Sequence, residues 1–179
     1  LKMFFCIPLR EISNMKSKEY WIENLELLPH PEGGYYKETY RSELNINLEN
    51  LNPQWKGERS LCTGIYFLLE RENFSAFHRI KSDELWHFYA GDPITIHMID
   101  NEGKYSSQDV GNRIDQGEVL QFLVPANSWF ASEVKGNRSF ALVGCTVSFG
   151  FDFNDFEMAD ESLMKEFPEH KEVLSRLIR

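Results

Sequence analysis

The sequence predicts an all-β fold, an antiparallel jelly-roll barrel with helices only at its two ends. Three observations carry that expectation. From Ser60 onward, short runs rich in β-branched and aromatic residues alternate with breaks such as Gly91-Asp92-Pro93, Asn101-Glu102-Gly103, Asp115-Gln116-Gly117 and Pro125-Ala126-Asn127. Strands at this spacing, with no helices between them, build sandwiches or barrels. Hydrophobic residues at helical spacing occur only near Trp21 and beyond Asp160. At 179 residues the chain is long enough for one domain with a real core and short for two.

Residues 1–14 read as an N-terminal extension upstream of a natural start at Met15, and 15–179 as a single domain. The apolar run at 3–9 is short, is broken by Pro8 and lacks a small-residue cleavage site, so no signal peptide is expected. Ser17 suits an N-cap, with Glu19 in the first turn. Trp21, Ile22, Leu25 and Leu28 follow at helical spacing, and Pro29 stops the helix. The composition of 29–34 makes a turn, and a strand runs over 35–41. The polar stretch 45–58, with Pro53 and Gly57, reads as an exposed loop. Strands are expected near 61–69, 75–80, 84–89, 94–99, 105–110, 119–124, 129–133 and 139–149. The tail from Asp160 is helical through Leu163, Met164, Phe167, Val173, Leu174, Leu177 and Ile178, and Pro168 splits it in two.

The net charge of −9 and the lack of a basic stripe exclude nucleic acid as a partner and argue against anionic membranes. No apolar run approaches the roughly 20 residues of a membrane-spanning helix. Cys6, Cys62 and Cys145 are odd in number and far apart, with no CxxC. They read as free thiols of a reducing, cytoplasmic compartment. Phosphate-loop and HExxH patterns are absent, and Gly33-Gly34 precedes a strand, so no cofactor is expected.

The chemistry concentrates in the stretch from Phe77 to Gly91. Residues two apart on a strand face the same way, so His78 and Ile80 share a face. Glu84 opens the next strand after the short Lys81-Ser82-Asp83 connection, which is expected to hold the two strands adjacent. His78, Ile80 and Glu84 then point into one barrel. These residues, with Gly91, resemble the first motif of the cupin superfamily, with Ile80 where a second His is usual. The stretch from Gly117 to Phe130 resembles the second motif: Pro125 matches, Asn127 replaces a Gly and Phe130 the third His. One His and one carboxylate make a poor site for zinc, iron or manganese, so no metal is expected. His87 falls on the face opposite Glu84 and does not replace the missing ligands.

Together with 29–36, Glu38-Thr39-Tyr40-Arg41-Ser42, Gly150-Phe151-Asp152-Phe153 and Asp155-Phe156-Glu157, these motifs make the chain similar to the DUF985, or cupin-5, proteins from about Ser17 to its C-terminus. The resemblance implies a cupin double-stranded β-helix, usually homodimeric, sharing its fold with germins, seed storage proteins and sugar-nucleotide epimerases. It implies no settled reaction, and fold kinship does not supply one.

His78 and Glu84 are therefore the candidate acid/base pair. Trp86, Phe88 and Trp129 form either a stacking platform for a ring-bearing ligand or plain core. Glu38 and Tyr40 share one strand face, Thr39 and Arg41 the other; either pair lines a pocket or a dimer contact, and Glu38 and Tyr40 are taken as ligand-binding. Arg41 and Arg79 are assigned to ordinary salt bridges. Leu85, His87 and Tyr89 face outward as a candidate dimer surface. His30, His97 and His170 are assigned to solvent-side or turn positions, and the Phe side chains of 151–157 to burial under a segment pinning the C-terminal tail. The leading reading is a cytoplasmic, homodimeric cupin binding a small molecule and, if an enzyme, isomerising or epimerising a sugar-like or sugar-nucleotide ligand without metal. The rivals are a non-enzymatic ligand-binding or storage-like barrel and a metal-dependent oxygenase or isomerase.

Overall fold

The computed structural model describes residues 16–30, 33–50, 55–136 and 139–179. The expectations for residues 1–14, Met15 and Cys6, and for Pro31 and Glu32 of the first turn, lie outside the described residues. Helix α1 (Lys18–Leu25) leads into β1 (Leu28–Pro29), β2 (Tyr35–Arg41), β3 (Asn45–Asn47), β4 (Glu58–Ser60), β5 (Thr63–Glu70), β6 (Phe74–Ile80) and β7 (Asp83–Gly91). β8 (Ile94–Ile99), β9 (Tyr105–Val110), β10 (Gln121–Val124), β11 (Trp129–Val134), β12 (Phe140–Ser148) and β13 (Phe156–Met158) follow. Helices α2 (Leu163–Glu166) and α3 (Lys171–Leu177) close the chain, separated by a 3-10 turn at Pro168–His170.

Two antiparallel sheets face each other, one ordered β1-β2-β5-β12-β7-β10 and the other β13-β6-β11-β8-β9. Between residues 60 and 149 the helical content of the described residues is the single 3-10 turn Ile114–Gln116. Alternation places Phe67, Trp86, Val143 and Cys145 of the first sheet against Ile94, Ile96 and Phe130 of the second, forming the central core. Both sheets are also covered outside. Leu27, with Trp21 and Ile22, packs on Leu68 and Leu142 of the first sheet, while Leu163, Leu174 and Leu177 pack on Phe77, Ile99 and Trp129 of the second.

Three expectations are corrected. Helix α1 ends before Leu28: Glu26 takes a left-handed conformation (φ 55°) and returns its N–H to Ile22 and Glu23 carbonyls. Leu28, 64% exposed, pairs with Tyr36 in β1 instead. The stretch 45–58 is not simply an exposed loop, since β3 pairs with β4 and Leu48 is 1% exposed. Strands β6 and β7, expected to be adjacent, lie in opposite sheets; the connection after Ile80 carries the chain across the sandwich.

His97 corrects a further expectation, because it is 6% exposed rather than solvent-side. Its face of the second sheet is covered at one end by the C-terminal segment. Its Nδ1 bonds the Tyr105 hydroxyl at 2.7 Å and its Nε2 meets Glu133 at 3.1 Å. Glu133 also accepts from Arg176 of α3. Burial lowers the His97 pKa below its ordinary 6.5, although Glu133 opposes the shift, and burial also lowers that of His87. The unfolded chain therefore takes up these protons first as pH falls. Their contribution is fully present above pH 6.5 and is lost as pH falls toward the folded values. Stability against urea is expected to fall from pH 7 to pH 5, and His97→Gln to flatten that slope; an unchanged slope contradicts the assignment. His170, the other expected turn residue, is partly buried and donates to the Gly103 carbonyl.

Candidate functional site

A cavity of about 580 Å³ lies between the two sheets, with His78 on one wall and Glu84 and Trp86 on the other. The crossing from β6 to β7 brings His78 and Glu84 in from opposite sides. Both are shielded, at 4% and 8% exposed. The Nδ1 of His78 donates to the Ala76 carbonyl at 2.7 Å. A carbonyl only accepts, so this bond assigns the neutral ring's proton to Nδ1 and makes Nε2 the basic nitrogen. Phe130 packs against the ring with centroids 4.1 Å apart, and Phe156 lies at 5.3 Å.

Two bulges decide which side chains enter the cavity. Between β6 and β11, His78 pairs with Phe130 but Ser75 pairs with Ser132, so β6 carries one extra residue. Ser75 and His78 consequently both line the cavity. Between β2 and β5, Glu38 pairs with Ile65 and Tyr40 with Gly64, so Thr39 is extra. Parity alone assigned Glu38 and Tyr40 to one face. With the bulge, Glu38 and Arg41 line the cavity, while Tyr40 is 56% exposed. Arg41 forks onto the Glu38 carboxylate at 3.0 and 2.7 Å and donates to the Phe151 carbonyl at 3.3 Å.

The three aromatic candidates separate. Trp86 is a cavity wall. Phe88, one step further on the same face, packs on the central core instead. Trp129 lies on the opposite side of β11, among residues packed against the C-terminal helices, with the Arg79 guanidinium 4.4 Å above its ring. Arg79 also pairs with Glu157.

Other residues enter from regions assigned no such place. His30 lines the cavity and stands edge-on to Tyr36 and Phe67 at 4.7 and 5.7 Å. Phe151, Asp152 and Phe153 line it from the strap between β12 and β13. The Phe side chains of this strap are not all buried, since Phe153 is 61% exposed. The strap is held by Gly150 N–H on Ser60 O at 2.8 Å and Phe151 N–H on Thr63 Oγ1 at 2.9 Å. Its far end is fixed by Asp155, which accepts from Arg59 at 2.6 and 2.9 Å and meets Lys81 at 3.2 Å. Burial pushes the Asp155 pKa up, but the Arg59 and Lys81 bonds outweigh it and the net shift is downward.

The donor set does not fit a transition metal. Ile80 offers no ligand atom, Phe130 fills the space beside His78, and among the described residues no three His, Cys, Asp or Glu side chains are placed to hold one metal ion together. On the outer face of the second sheet, an open polar cleft includes Thr95, Asp109 and Lys135, but Asp109 already accepts from the other two. His87 lies outside the cavity; its Nδ1 accepts from Gln121, so its Nε2 donates to Thr146.

The family model described as Cupin superfamily (DUF985) matches residues 19–159. An uncharacterized protein of Saccharomyces cerevisiae is 30% identical over 161 residues, covering 85% of this chain and 79% of that protein. Among solved structures, a hypothetical protein from Leishmania major is 38% identical with a TM-score of 0.84, over 91% of this chain and 99% of that one. A Shewanella oneidensis protein is 41% identical with a TM-score of 0.82, over 92% and 99%. Oxalate decarboxylase of Bacillus subtilis, 18% identical with a TM-score of 0.51 over 83% of this chain and 36% of that one, shares the fold.

Proposed function

Because the chain belongs to the DUF985 family of the cupin superfamily, we propose that it is a small-molecule-binding cupin in which His78 and Glu84 act as a metal-independent acid/base pair. The carrying observation is that both reach one aromatic-walled cavity from facing sheets. The Glu84 carboxylate accepts a proton from a carbon acid and, in the acid form so produced, returns it elsewhere on the same molecule, while Nε2 of His78 carries the neighbouring hydroxyl proton between oxygens, giving a net isomerisation or epimerisation. Trp86 and Phe67 offer flat apolar surface, which suits a ring such as a sugar. Among the described residues Cys62 and Cys145 are thiols outside any disulfide, which supports a reducing, cytoplasmic setting. Among the described residues no helix is long and apolar enough to cross a membrane.

The test is to dialyse the protein against a small-molecule extract, identify the retained compound by mass spectrometry, and repeat in D2O. Retention with deuterium entering at carbon is expected, and retention of nothing contradicts the proposal. The second reading, a binding barrel without chemistry, is favoured by the shielding of His78 under Phe130. It predicts retention without deuterium.

We also propose a homodimer. Tyr89 and Leu123 are 51% and 46% exposed on the outer face of the first sheet, where Leu123 pairs with Leu85 at the edge strand β10. Light scattering at micromolar concentration is expected to give twice the chain mass, and Leu123→Glu to give the monomer. A wild-type monomer overturns the assignment.

A further inference from the structure

We infer that the cavity selects a ring-bearing ligand with a protonated amine and disfavours phosphorylated or carboxylated ones. The inference rests on the small-molecule reading of the cavity and names the ligand class. Among the described residues, three carboxylates line the cavity, Glu38, Glu84 and Asp152, against the single guanidinium of Arg41. Arg41 is not available as an anion clamp: its Nε and Nη2 are forked on Glu38, and Nη1 and Nη2 donate to the Phe151 carbonyl. A phosphate or carboxylate would have to break that fork and would then face Glu38 across the gap.

Asp152, with its side chain 35% exposed, sits on the strap at the cavity edge. Arg59 is 3.9 Å from it, but the guanidinium is engaged bidentately by Asp155. His30 and His78 are the remaining imidazoles of the wall. The walls between these acids are π surfaces: Tyr36, Phe67, Trp86, Phe151 and Phe153. Aromatic faces with carboxylates behind them hold cations and repel anions, because ring quadrupoles and acids present the same sign of potential. The chain's net charge of −9 acts in the same direction at long range.

The test uses three indoles that differ only in the terminal group: tryptamine, tryptophol and indole-3-propionate. Each is titrated into the full chain by calorimetry at pH 8, above the ordinary imidazole range. Tryptamine is expected to bind about tenfold or more tighter than indole-3-propionate, with tryptophol between them. Glu84→Gln with Asp152→Asn is expected to shrink that preference to roughly threefold or less. In wild type, which needs no variant to fold, raising the salt is expected to narrow the same gap. Equal or tighter binding of indole-3-propionate overturns the charge inference while leaving the cavity reading intact. Binding by none of the three overturns both.

Discussion

Glu84→Gln is expected to abolish deuterium exchange into the retained ligand, by about 10²–10⁴-fold, while keeping affinity within about tenfold. The amide keeps the shape of the carboxyl and some of its hydrogen bonds but cannot deliver the proton. His78→Gln is expected to act similarly. Because the two groups serve one proton transfer, the double variant should be little worse than either single one. Multiplying defects would instead mean two independent roles. Glu84 is 8% exposed, so a thermal melt belongs beside each rate: a variant that loses exchange with an unchanged melt has lost chemistry rather than fold. Wild-type exchange rates in Glu84→Gln would refute the acid/base assignment.

Asp155→Ala is expected to carry the largest stability cost, about 3–5 kcal/mol, because it leaves the Arg59 guanidinium buried without its carboxylate. Arg59 and Asp155 side chains are 6% and 5% exposed and make two hydrogen bonds across 96 residues of chain. For a domain of this size the melt should fall by roughly 10 °C or more. The sign of the pH effect follows from the lowered Asp155 pKa: its stabilisation is present above the ordinary 3.8 and is lost as pH falls through the lower folded value. Replacing both partners with apolar residues of similar volume, Arg59→Met with Asp155→Leu, should recover most of the loss. A small loss in Asp155→Ala would show that the strap is not anchored there. The anchor also bears on function, since the strap carries Phe151, Asp152 and Phe153 to the cavity.

The strand punctuation and the His78-to-Gly91 spacing were legible because each rests on local periodicity and turn chemistry. Strands 94–99 and 105–110 match β8 and β9 residue for residue. Features set by long-range pairing were not legible. Nothing local says that the chain crosses sheets after Ile80, so His78 and Glu84 were expected from neighbouring strands rather than from facing walls. The extra residue at Thr39 exchanges Tyr40 for Arg41 in the cavity, and parity counting cannot see a bulge. Sequence alone leaves Trp129 open between pocket wall and core, because an outward aromatic looks unplaced until the C-terminal helices are known to cover it. His97 was read as solvent-side for a similar reason. The Gly-Phe-Asp-Phe stretch carried a usable signal: alternating aromatic and acidic residues beside a long buried strand suit a cavity edge as well as a buried anchor.

The most direct test of the central claim uses the four tryptophans. Trp86 lines the cavity, Trp21 packs from α1 onto the first sheet, Trp129 lies with the C-terminal helices and Trp55 stands edge-on to Phe149. Each indole N–H gives its own resonance, assignable by single Trp→Phe variants. On titration with the compound retained from the extract, the Trp86 resonance should shift saturably and the other three should stay in place. A shift confined to Trp129, Trp21 or Trp55, with Trp86 unmoved at saturation, would place the ligand outside the cavity and contradict the role given to His78 and Glu84.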